Sequence, residues 1–413
     1  MNTAPKVLVV DDDPDARQIA ETLLRNAGFE VLTAADGKSG LELIHSQRPR
    51  VVVLDLMMPG THGFSVCQAV RNDPALNDVH IIVVSSKAYA TDIKKAKELG
   101  ATDYLIKPFD VNELLAKVRT LAGTADNPLC VKFWGTRGSI PTPGPATARY
   151  GGNTSCVEVR SGETILMLDA GSGAREMGLA LAREFSGRPL DLHVFISHTH
   201  WDHIQGFPFF VPAYGPRNRI TLYSLHGTDK SLQKVFTGQM DAAYFPVELS
   251  EMQAELRFIE LEGPVTVGEI QITHTFLNHP GLAIAFRLEA RRKSIVYMTD
   301  HEHHCRLQGD NEHNRRLERA VVEFARHADL YIREAQYTEE EYPSKRGWGH
   351  STWVDALEAA HEAGVKRLAL YHHDPMHDDD ALDRMLAACQ ARMKERGMHF
   401  SCLAAADHLE LTF

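Results

Sequence analysis

Short apolar runs alternate with amphipathic stretches over residues 5–122. Five of the runs, KVLVV, EVLTA, VVVLDL, HIIVVSS and DYLIK, have the length and the β-branched content of buried strands. Between the first two runs, apolar residues recur at the spacing of a helical face, as at Ile19, Leu23 and Leu24. This alternation predicts an α/β domain, a doubly wound parallel sheet of five strands with helices on both faces.

A second pattern begins at Cys130, where strand-like runs such as TSCVEVR, DLHVFISH, AIAFRLEA and RLALYHH are separated by Gly and Pro. Helical periodicity is clearest at 315–327 and 353–363. The pattern predicts a sandwich of two sheets with helices on the outside. Together the two patterns predict a first domain over residues 1–122, a linker over 123–129 and a second domain over 130–413.

The composition is that of a globular protein, with 44% hydrophobic and 24% charged residues. The formal net charge of −11 disfavours a large nucleic-acid surface, because neutralising phosphates requires a basic face. Six scattered cysteines form no C-x-x-C pair, which disfavours disulfides and zinc knuckles. No apolar run reaches the roughly 20 residues that cross a bilayer, and the N-terminus lacks signal-peptide features, so a cytoplasmic location without a membrane partner is expected.

Acidic, hydroxyl and lysine side chains stand at the predicted carboxyl ends of the strands in the first domain. Asp11 and Asp12 follow the first strand, and Asp55, Ser85 and Lys107 end later ones. Strand ends meet at one edge of a parallel sheet, where ligands bind in doubly wound folds. Neighbouring carboxylates repel each other unless a hard cation such as Mg²⁺ neutralises them, and a lysine with a hydroxyl suits an anionic phosphoryl group.

The segments VLVVDDDP, VVVLDLMMPG, IIVVSSKA and GATDYLIKPF resemble the receiver domain of response regulators over its full length. The resemblance implies a partner, a sensor histidine kinase or a phosphotransfer protein. It also implies roles for six residues: Asp55 as phospho-acceptor, Asp11 and Asp12 as magnesium ligands beside it, Ser85 and Lys107 as phosphoryl contacts, and Tyr104 as the aromatic switch residue.

Histidine is concentrated in the second domain, since only three of the 22 histidines precede residue 123. Four residues of types that bind metals directly follow the strand LHVFIS, namely His198, His200, Asp202 and His203. Three imidazoles and a carboxylate this close cannot all be buried unpaired. The spacing lets His198 and His200 face one ion while Asp202 and His203 reach a second, and Zn²⁺ and neighbouring transition metals prefer such ligands.

This H-x-H-x-D-H motif resembles the signature of the metallo-β-lactamase fold, an αββα sandwich. The segments FLNHPG, VYMTDHE and LALYHHDP resemble the later ligand positions of that fold. The resemblance implies one ion on His198, His200 and His279, a second on Asp202, His203 and His372, and Asp300 as the bridge. Zinc is the expected metal, with manganese and iron as alternatives.

Additional histidines leave alternatives at this site. His373 could replace His372, although successive side chains of a strand point to opposite faces and only one of the two should reach the metals. The alignment with the family favours His372. We expect His301, His303 and His304 to form hydrogen bonds at the rim of the site, in preference to binding a third metal.

The elements IREAQY and GWGHSTW resemble ribonuclease Z and its phosphodiesterase relatives. In those enzymes a glutamate orients a histidine that protonates the leaving oxygen, which implies catalytic roles for Glu334 and His350 beside Asp202. Alternatively, His350 only precedes a helix that Ser351 or Thr352 caps.

The opening FWGTRGSIPTPGP and the segment RYGGNTSC resemble the phosphodiesterase-type subgroup of the same fold. Arg137, Ser139 and Asn153 are candidate substrate contacts there. The alternative is that these residues belong to a turn scaffold rich in Gly and Pro.

These observations favour a metal-dependent hydrolase, a phosphodiesterase for a cyclic nucleotide or another small cyclic phosphodiester, regulated by phosphorylation of Asp55. A nuclease like ribonuclease Z is disfavoured by the net charge of −11. A hydrolase of carboxylesters, thioesters or lactones is disfavoured by the pair Glu334 and His350. An inert partner-binding module is disfavoured because every ligand position is filled. The short linker predicts that phosphorylation acts through a packed interface or through homodimerisation.

Overall fold

The chain forms two compact units, which divide between Asn127 and Pro128. The computed structural model describes residues 4–58, 62–87, 89–122, 128–225 and 230–413. Most of the predicted linker, residues 123–127, lies outside the described residues.

The first unit contains one parallel sheet. Its strands are β1 (Lys6–Val10), β2 (Glu30–Ala34), β3 (Val51–Asp55), β4 (His80–Ser85) and β5 (Asp103–Ile106). Their order is β2-β1-β3-β4-β5, and every neighbouring pair is parallel. Adjacent residues of β3 point to opposite faces, so that Val53 and Leu54 belong to different apolar clusters. The predicted doubly wound fold is confirmed.

Helices cover this sheet: α1 (Pro14–Asn26), α2 (Gly37–Gln47), α3 (Gly63–Asn72), α4 (Ala90–Glu98) and α5 (Val111–Leu121), with a 3-10 turn at Pro74–Leu76. Local sequence directs where α1 begins. The side chain of Asp13 accepts hydrogen bonds from the backbone N–H groups of Asp15 and Ala16, and Pro14 lies in the first turn. This cap immediately follows Asp11 and Asp12, and it therefore fixes the loop that carries the predicted magnesium ligands.

The second unit is built on two mixed sheets. Its strands are β6 (Cys130–Gly135), β7 (Cys156–Ser161), β8 (Thr164–Leu168), β9 (Asp191–Phe195), β10 (Arg219–Ser224), β11 (Glu255–Glu260), β12 (Val265–Val267), β13 (Ile270–Phe276), β14 (Ile284–Ala290), β15 (Lys293–Met298), β16 (Leu330–Glu334), β17 (Arg367–Tyr371), β18 (Ser401–Ala404) and β19 (Glu410–Thr412). One sheet has the order β11-β10-β9-β8-β7-β6-β19, and the other runs from β12 to β18 in sequence. Leu168 and Phe195 of the first sheet share a buried cluster with Phe286 and Tyr297 of the second. The predicted sandwich is confirmed.

The helices of the second unit are α6 (Ala174–Glu184), α7 (Trp201–Ile204), α8 (Leu232–Gln239), α9 (His304–Gln308), α10 (Glu312–Phe324), α11 (Tyr342–Lys345), α12 (Trp353–Ala363) and α13 (Asp379–Arg396), and 3-10 turns lie at Pro145–Thr147, Phe207–Phe209, Val211–Tyr214 and Leu249–Glu251. The helix predicted over 315–327 begins earlier, because Asn311 caps it. Helix α13 was not predicted, and Asp378 caps it. Within the described ranges, no helix is both long and apolar enough to span a membrane.

Candidate active site

Loops at the ends of β9, β13, β15 and β17 bring the seven predicted metal ligands together. The ligand atoms form two groups, and the atoms of each lie within 4.8 Å of one another. Group one consists of His198, His200, His279 and Asp300, and group two consists of Asp202, His203, His372 and Asp300. His279, Asp300 and His372 come from distant parts of the chain, and the two-sheet fold brings them to the segment 198–203.

Group one presents three imidazole nitrogens to one point. The Nδ1 atom of His200 lies 3.1 Å from Nε2 of His198 and 3.0 Å from Nε2 of His279. The other ring nitrogen of His279 donates to the carbonyl oxygen of Gly349 at 2.9 Å, and that of His198 lies 3.1 Å from the hydroxyl of Ser197. These bonds assign the protons to Nδ1, so unprotonated Nε2 atoms face the common point, as in metal-ligating histidines.

In group two, as in group one, imidazole nitrogens converge on one point while the opposite ring nitrogens are held by hydrogen bonds. The Nε2 atoms of His203 and His372 are 3.3 Å apart and lie 3.3 and 3.1 Å from Oδ2 of Asp202. The Nδ1 atom of His203 donates to Asp169 at 2.7 Å, and that of His372 donates to the side-chain oxygen of Gln336 at 2.9 Å. Both imidazoles therefore turn Nε2, the nitrogen available to a metal ion, to the carboxylate of Asp202.

Asp300 lies between the two groups, and each of its oxygens faces a different one. Oδ2 is 3.4 Å from Nε2 of His198 and 3.7 Å from Nε2 of His279. Oδ1 is 3.4 Å from Nε2 of His203 and 3.3 Å from Nε2 of His372. The residue has a left-handed φ of 45°, a strained conformation of the kind found at functional sites. Asp300 can therefore offer one oxygen to each group.

The electrostatic environment differs between the two groups: burial lowers the pKa of His198 and of His200 in group one, whereas carboxylates raise the pKa of the two imidazoles of group two. Burial by itself lowers the pKa of His203, but the carboxylates of Asp202, Asp300 and Asp169 raise it well above its usual value. Burial also lowers the pKa of His372, but the carboxylates of Asp300 and Asp202 together outweigh burial and raise it. Imidazole nitrogens and carboxylates that converge in such a field fit two divalent transition-metal ions.

Two buried residues that hold the ligands were missed in the sequence. Asp169 directly follows β8, and its carboxylate accepts hydrogen bonds from the hydroxyl of Ser197 and from the hydroxyl of Tyr297, both at 2.7 Å, besides that from His203. Gln336 holds His372. The signal for Asp169 was a carboxylate at the end of an apolar strand, and no local signal distinguished Gln336.

Both groups line an open cleft of about 450 Å³. Its other lining residues are Ser139, Thr199, Trp201, Trp348 and His350. The two tryptophans are 78% and 58% exposed, so their rings are available to a bound molecule.

The imidazole of His350 lies beside the carboxylate of Asp300. Its Nδ1 atom is 4.0 Å from Oδ2 of Asp300 and 3.9 Å from Oε2 of Glu334, and it has no hydrogen-bond partner among the described residues. Burial lowers the pKa of His350 to about 3. At 3.9 Å, Glu334 forms no hydrogen bond with the ring that it is predicted to orient. Glu334 instead accepts a hydrogen bond from the backbone N–H of Ser351 at 2.6 Å and thereby fixes the loop that carries His350.

The three candidate substrate contacts have different surroundings. Ser139 lines the cleft, and its backbone N–H donates to Asp202 at 2.7 Å. Arg137 does not reach the cleft: its side chain is fully buried, and it donates to backbone carbonyls including that of Gly151 at 2.8 Å. The side-chain oxygen of Asn153 accepts a hydrogen bond from Ser172 at 3.1 Å. Arg137 and Asn153 thus hold loops, as a turn scaffold does.

The choice between His372 and His373 is decided by the backbone rather than by strand alternation. Strand β17 ends at Tyr371, so both histidines lie beyond it, and His372 has a left-handed φ of 56°. This turn directs His372 into group two. The Nε2 atom of His373 donates to the carbonyl oxygen of Ala405 at 2.8 Å, on the opposite side.

A third cluster consists of His301, His304 and Glu318. The backbone N–H of Asn278 donates to Nδ1 of His301 at 3.1 Å, so Nε2 carries the proton and donates to Glu318 at 3.1 Å. No lone pair of this imidazole remains for a metal. His301 and His304 are therefore a hydrogen-bonded support next to Asp300, but His301 is fully buried and not at the rim, and the Nδ1 atom of His303 has no hydrogen-bond partner among the described residues.

The predicted phosphorylation site of the first unit also comes together. Asp11, Asp12 and Asp55 place carboxylate oxygens within 4.8 Å of one another. The ammonium group of Lys107 lies 2.8 Å from Asp11 and 2.8 Å from Asp55. Burial lowers the pKa of Lys107, but its hydrogen bonds to the two carboxylates outweigh burial and raise it. The carboxylates are suited to Mg²⁺ and the lysine to an anionic oxygen.

Ser85, a predicted phosphoryl contact, and Tyr104, the predicted switch residue, both form hydrogen bonds with the backbone of Lys87. Ser85 is fully buried, and its hydroxyl accepts a hydrogen bond from the backbone N–H of Lys87 at 3.3 Å. The hydroxyl of Tyr104 donates to the backbone carbonyl of the same residue at 2.8 Å. A displacement of Ser85 therefore changes the segment that holds the tyrosine ring.

The two folds and their sites define a class of protein, a receiver domain fused to a domain of the metallo-β-lactamase fold. The sequence model described as the response regulator receiver domain matches residues 7–119. The model described as the beta-lactamase superfamily domain matches residues 164–373, just over half of the chain, and the chain belongs to this superfamily.

Relatives cover parts of the chain. It is 44% identical over 121 residues to a probable transcriptional regulator ycf27 of Galdieria sulphuraria, which is 29% of this chain and 46% of that protein. The chain thus spans about half the length of the curated relatives it matches. The metallo-beta-lactamase fold protein YhfI from Bacillus subtilis is 19% identical, with a TM-score of 0.48 over 69% of this chain and 100% of that one. Human tRNase Z, short form, is also 19% identical, with a TM-score of 0.46 over 68% of this chain and 98% of that one.

Proposed function

We propose that this response regulator has a catalytic output, a two-metal phosphodiesterase that cleaves a cyclic nucleotide or a similar small cyclic phosphodiester. One observation carries the proposal: the imidazole of His350 stands 4.0 Å from the carboxylate shared by the two ligand groups, and its buried Nδ1 atom has no hydrogen-bond partner in the part of the chain that the structure describes. A proton carrier beside a bridged metal pair suits the cleavage of a phosphodiester, whose leaving oxygen requires a proton.

The seven ligands would hold two divalent ions, which would lower the pKa of a water molecule to near neutral and would stabilise negative charge on the oxygens of a phosphodiester. The residues of the chain do the rest. Asp169, Gln336 and the carbonyl of Gly349 hold the ligand imidazoles in the tautomer with a free nitrogen. Ser139 fixes the carboxylate of Asp202 through its backbone N–H.

In this mechanism His350 gives its proton to the leaving oxygen. A phosphodiester in the cleft brings negative charge next to the ring, which raises the pKa of His350 from its low value in the free protein. Glu334 acts as a positioning residue, because it holds the backbone of the loop and does not touch the imidazole.

Phosphorylation of Asp55 by a sensor kinase or phosphotransfer protein is proposed to regulate this turnover. The two oxygens that Lys107 contacts at 2.8 Å belong to Asp11 and Asp55, so a phosphoryl group on Asp55 alters the balance of charge around the lysine. Ser85 and Tyr104 carry the change to the surface of the receiver, where altered homodimerisation is the proposed consequence.

The test is a panel of substrates incubated with metal-loaded full-length protein: cyclic mononucleotides, linear dinucleotides, short RNA and lactones. Chromatographic detection of phosphomonoester product from the cyclic nucleotides is the expected result, with its loss in Asp300→Asn as the control. Cleavage restricted to RNA would replace the proposal by a nuclease, and cleavage restricted to lactones would replace it by a carboxylic ester hydrolase.

A further inference from the structure

A second cleft adjoins the one that holds the metal ligands. It has a volume of about 480 Å³, and Thr199 and Trp201 line both clefts. In the chain, Trp201 stands between His200 and Asp202, which belong to different ligand groups. A molecule bound over the ligands can therefore extend into the second cleft past the ring of Trp201.

The walls of this cleft are rich in exposed aromatic rings. Trp201 is 78% exposed, Phe209 is 55% exposed and Tyr244 is 83% exposed. Phe245 lines the cleft as well and packs edge-on against Phe209, with 5.3 Å between the ring centroids. Rings that serve only the core are buried, whereas clustered exposed rings mark binding sites.

Two lysines complete the lining. Lys230 and Lys234 are exposed, and among the described residues neither forms an ion pair with a carboxylate. In a protein with a net charge of −11, two such ammonium groups beside aromatic rings create a local preference for an anion. The ligand that matches this combination is both aromatic and negatively charged.

We infer that the second cleft binds the base of a nucleotide whose phosphodiester lies over the metal ligands. The base stacks on Trp201 and the neighbouring rings, because every nucleobase offers a π-face to an aromatic side chain. Lys230 and Lys234 neutralise the charge of the nucleotide. The inference rests on the proposed phosphodiesterase function and narrows the substrate class to nucleotides, as opposed to cyclic phosphates without a base.

Measurements of equilibrium binding test the base site independently of catalytic turnover. Calorimetry on the metal-loaded full-length protein compares adenosine monophosphate with ribose 5-phosphate, which lacks the base. The expected result is tighter binding of the nucleotide by roughly 5- to 150-fold, the range of one stacked base. Trp201→Ala should remove most of this difference, and Trp201→Phe should retain it. Lys234→Gln should weaken both ligands.

Trp348→Ala is the matched control, since it removes a tryptophan from the rim of the metal cleft that does not line the second cleft. It should leave the ratio of the two affinities unchanged. Equal affinities of the wild-type protein for the two ligands, or an equal loss for both in Trp201→Ala, would overturn the base site.

Turnover distinguishes this inference from the proposed function. A cyclic nucleotide should be cleaved with a higher kcat/KM than the corresponding ribose cyclic phosphate, and Trp201→Ala should abolish the preference. Cleavage of both at equal rates overturns the base site and leaves the phosphodiesterase. Trp201-dependent nucleotide binding without cleavage of any phosphodiester supports the base site and overturns the phosphodiesterase.

Discussion

Gly138 lies against the imidazole of His372: a Cβ atom at position 138 would come within 2.4 Å of both Cε1 and Nδ1 of that ring. The ring cannot move aside without losing its hydrogen bond to Gln336, which assigns its tautomer. Glycine at position 138 is thus a condition for the position of His372.

We expect Gly138→Ala to displace His372 and to weaken metal binding at group two. Gly144→Ala is the matched control in the same loop, because a Cβ atom there meets no atom within 4 Å. Elemental analysis after dialysis should show a loss of up to one ion per chain in Gly138→Ala and none in the control. Two bound ions per chain in both variants would show that the loop can move to accommodate the added methyl group without displacing His372, which would contradict the prediction.

The metal content of the wild-type protein should approach two ions per chain. His200→Ala removes one of three imidazoles of group one and should release an ion together with most of the activity. His313→Ala, an exposed histidine on helix α10, is the control and should change neither quantity. An unchanged metal content in His200→Ala would contradict the ligand assignment.

Replacement of His350 by Ala should lower turnover by roughly 10²–10⁴-fold without loss of metal, because the leaving oxygen then lacks its proton donor. The defect should shrink for a nitrophenyl phosphodiester, whose leaving group needs no proton. Steady-state kinetics on both substrates checks this, and an equal loss on both would identify a structural role for His350.

Beryllofluoride, a phosphoryl mimic, should bind at Asp55 and change turnover, dimerisation or both. A coupling free energy of ~1–3 kcal/mol between receiver and output is ordinary for such a switch. Light scattering and turnover are measured with and without the mimic, and Asp55→Asn, which cannot take it, serves as the control. Bound mimic without a change in either quantity would refute regulation by the receiver.

A stability prediction concerns Asp407, whose carboxylate accepts hydrogen bonds from Thr136 and from the backbone of Asn153. Burial raises the pKa of Asp407 from its ordinary value of 3.8 to about 6. The folded protein therefore holds this proton more tightly than the unfolded chain does. The contribution of this proton to the free energy of unfolding is fully present below pH ~4 and is lost as the pH rises through ~6.

Asp407→Asn should remove this pH dependence. The free energy of unfolding of the variant relative to the wild-type protein should increase by roughly 1–3 kcal/mol between pH 4 and pH 7. Denaturant titrations at both pH values measure it, with the exposed Glu362→Gln as control. A constant difference between variant and wild type would show that burial does not shift the pKa of Asp407.

The sequence by itself determined both folds and the four ligand candidates after β9, and its resemblance to the metallo-β-lactamase fold added His279, Asp300 and His372. The apolar runs identified β3 and β9, because a buried strand must be apolar. The carboxylates and imidazoles at the ends of these strands indicated binding sites, because such groups are costly to bury unpaired in a core. Those signals are local in the sequence, so they can be recognised without knowing which distant residues are in contact. Helix α13 was missed, because its first turn of aspartates has the composition of a loop although Asp378 caps it.

Only the tertiary structure decided which side chains face the metals and which hold loops. Arg137 and Ser139 are neighbours in one motif, yet the arginine is fully buried and the serine lines the cleft. His372 and His373 are adjacent, but the left-handed φ of His372 directs their side chains to opposite sides, and no spacing rule predicts that dihedral angle. Such outcomes depend on backbone dihedrals and on partners such as Gln336 and Ala405, which are remote in sequence or carry no local signal, and so they are decided only when the two sheets pack.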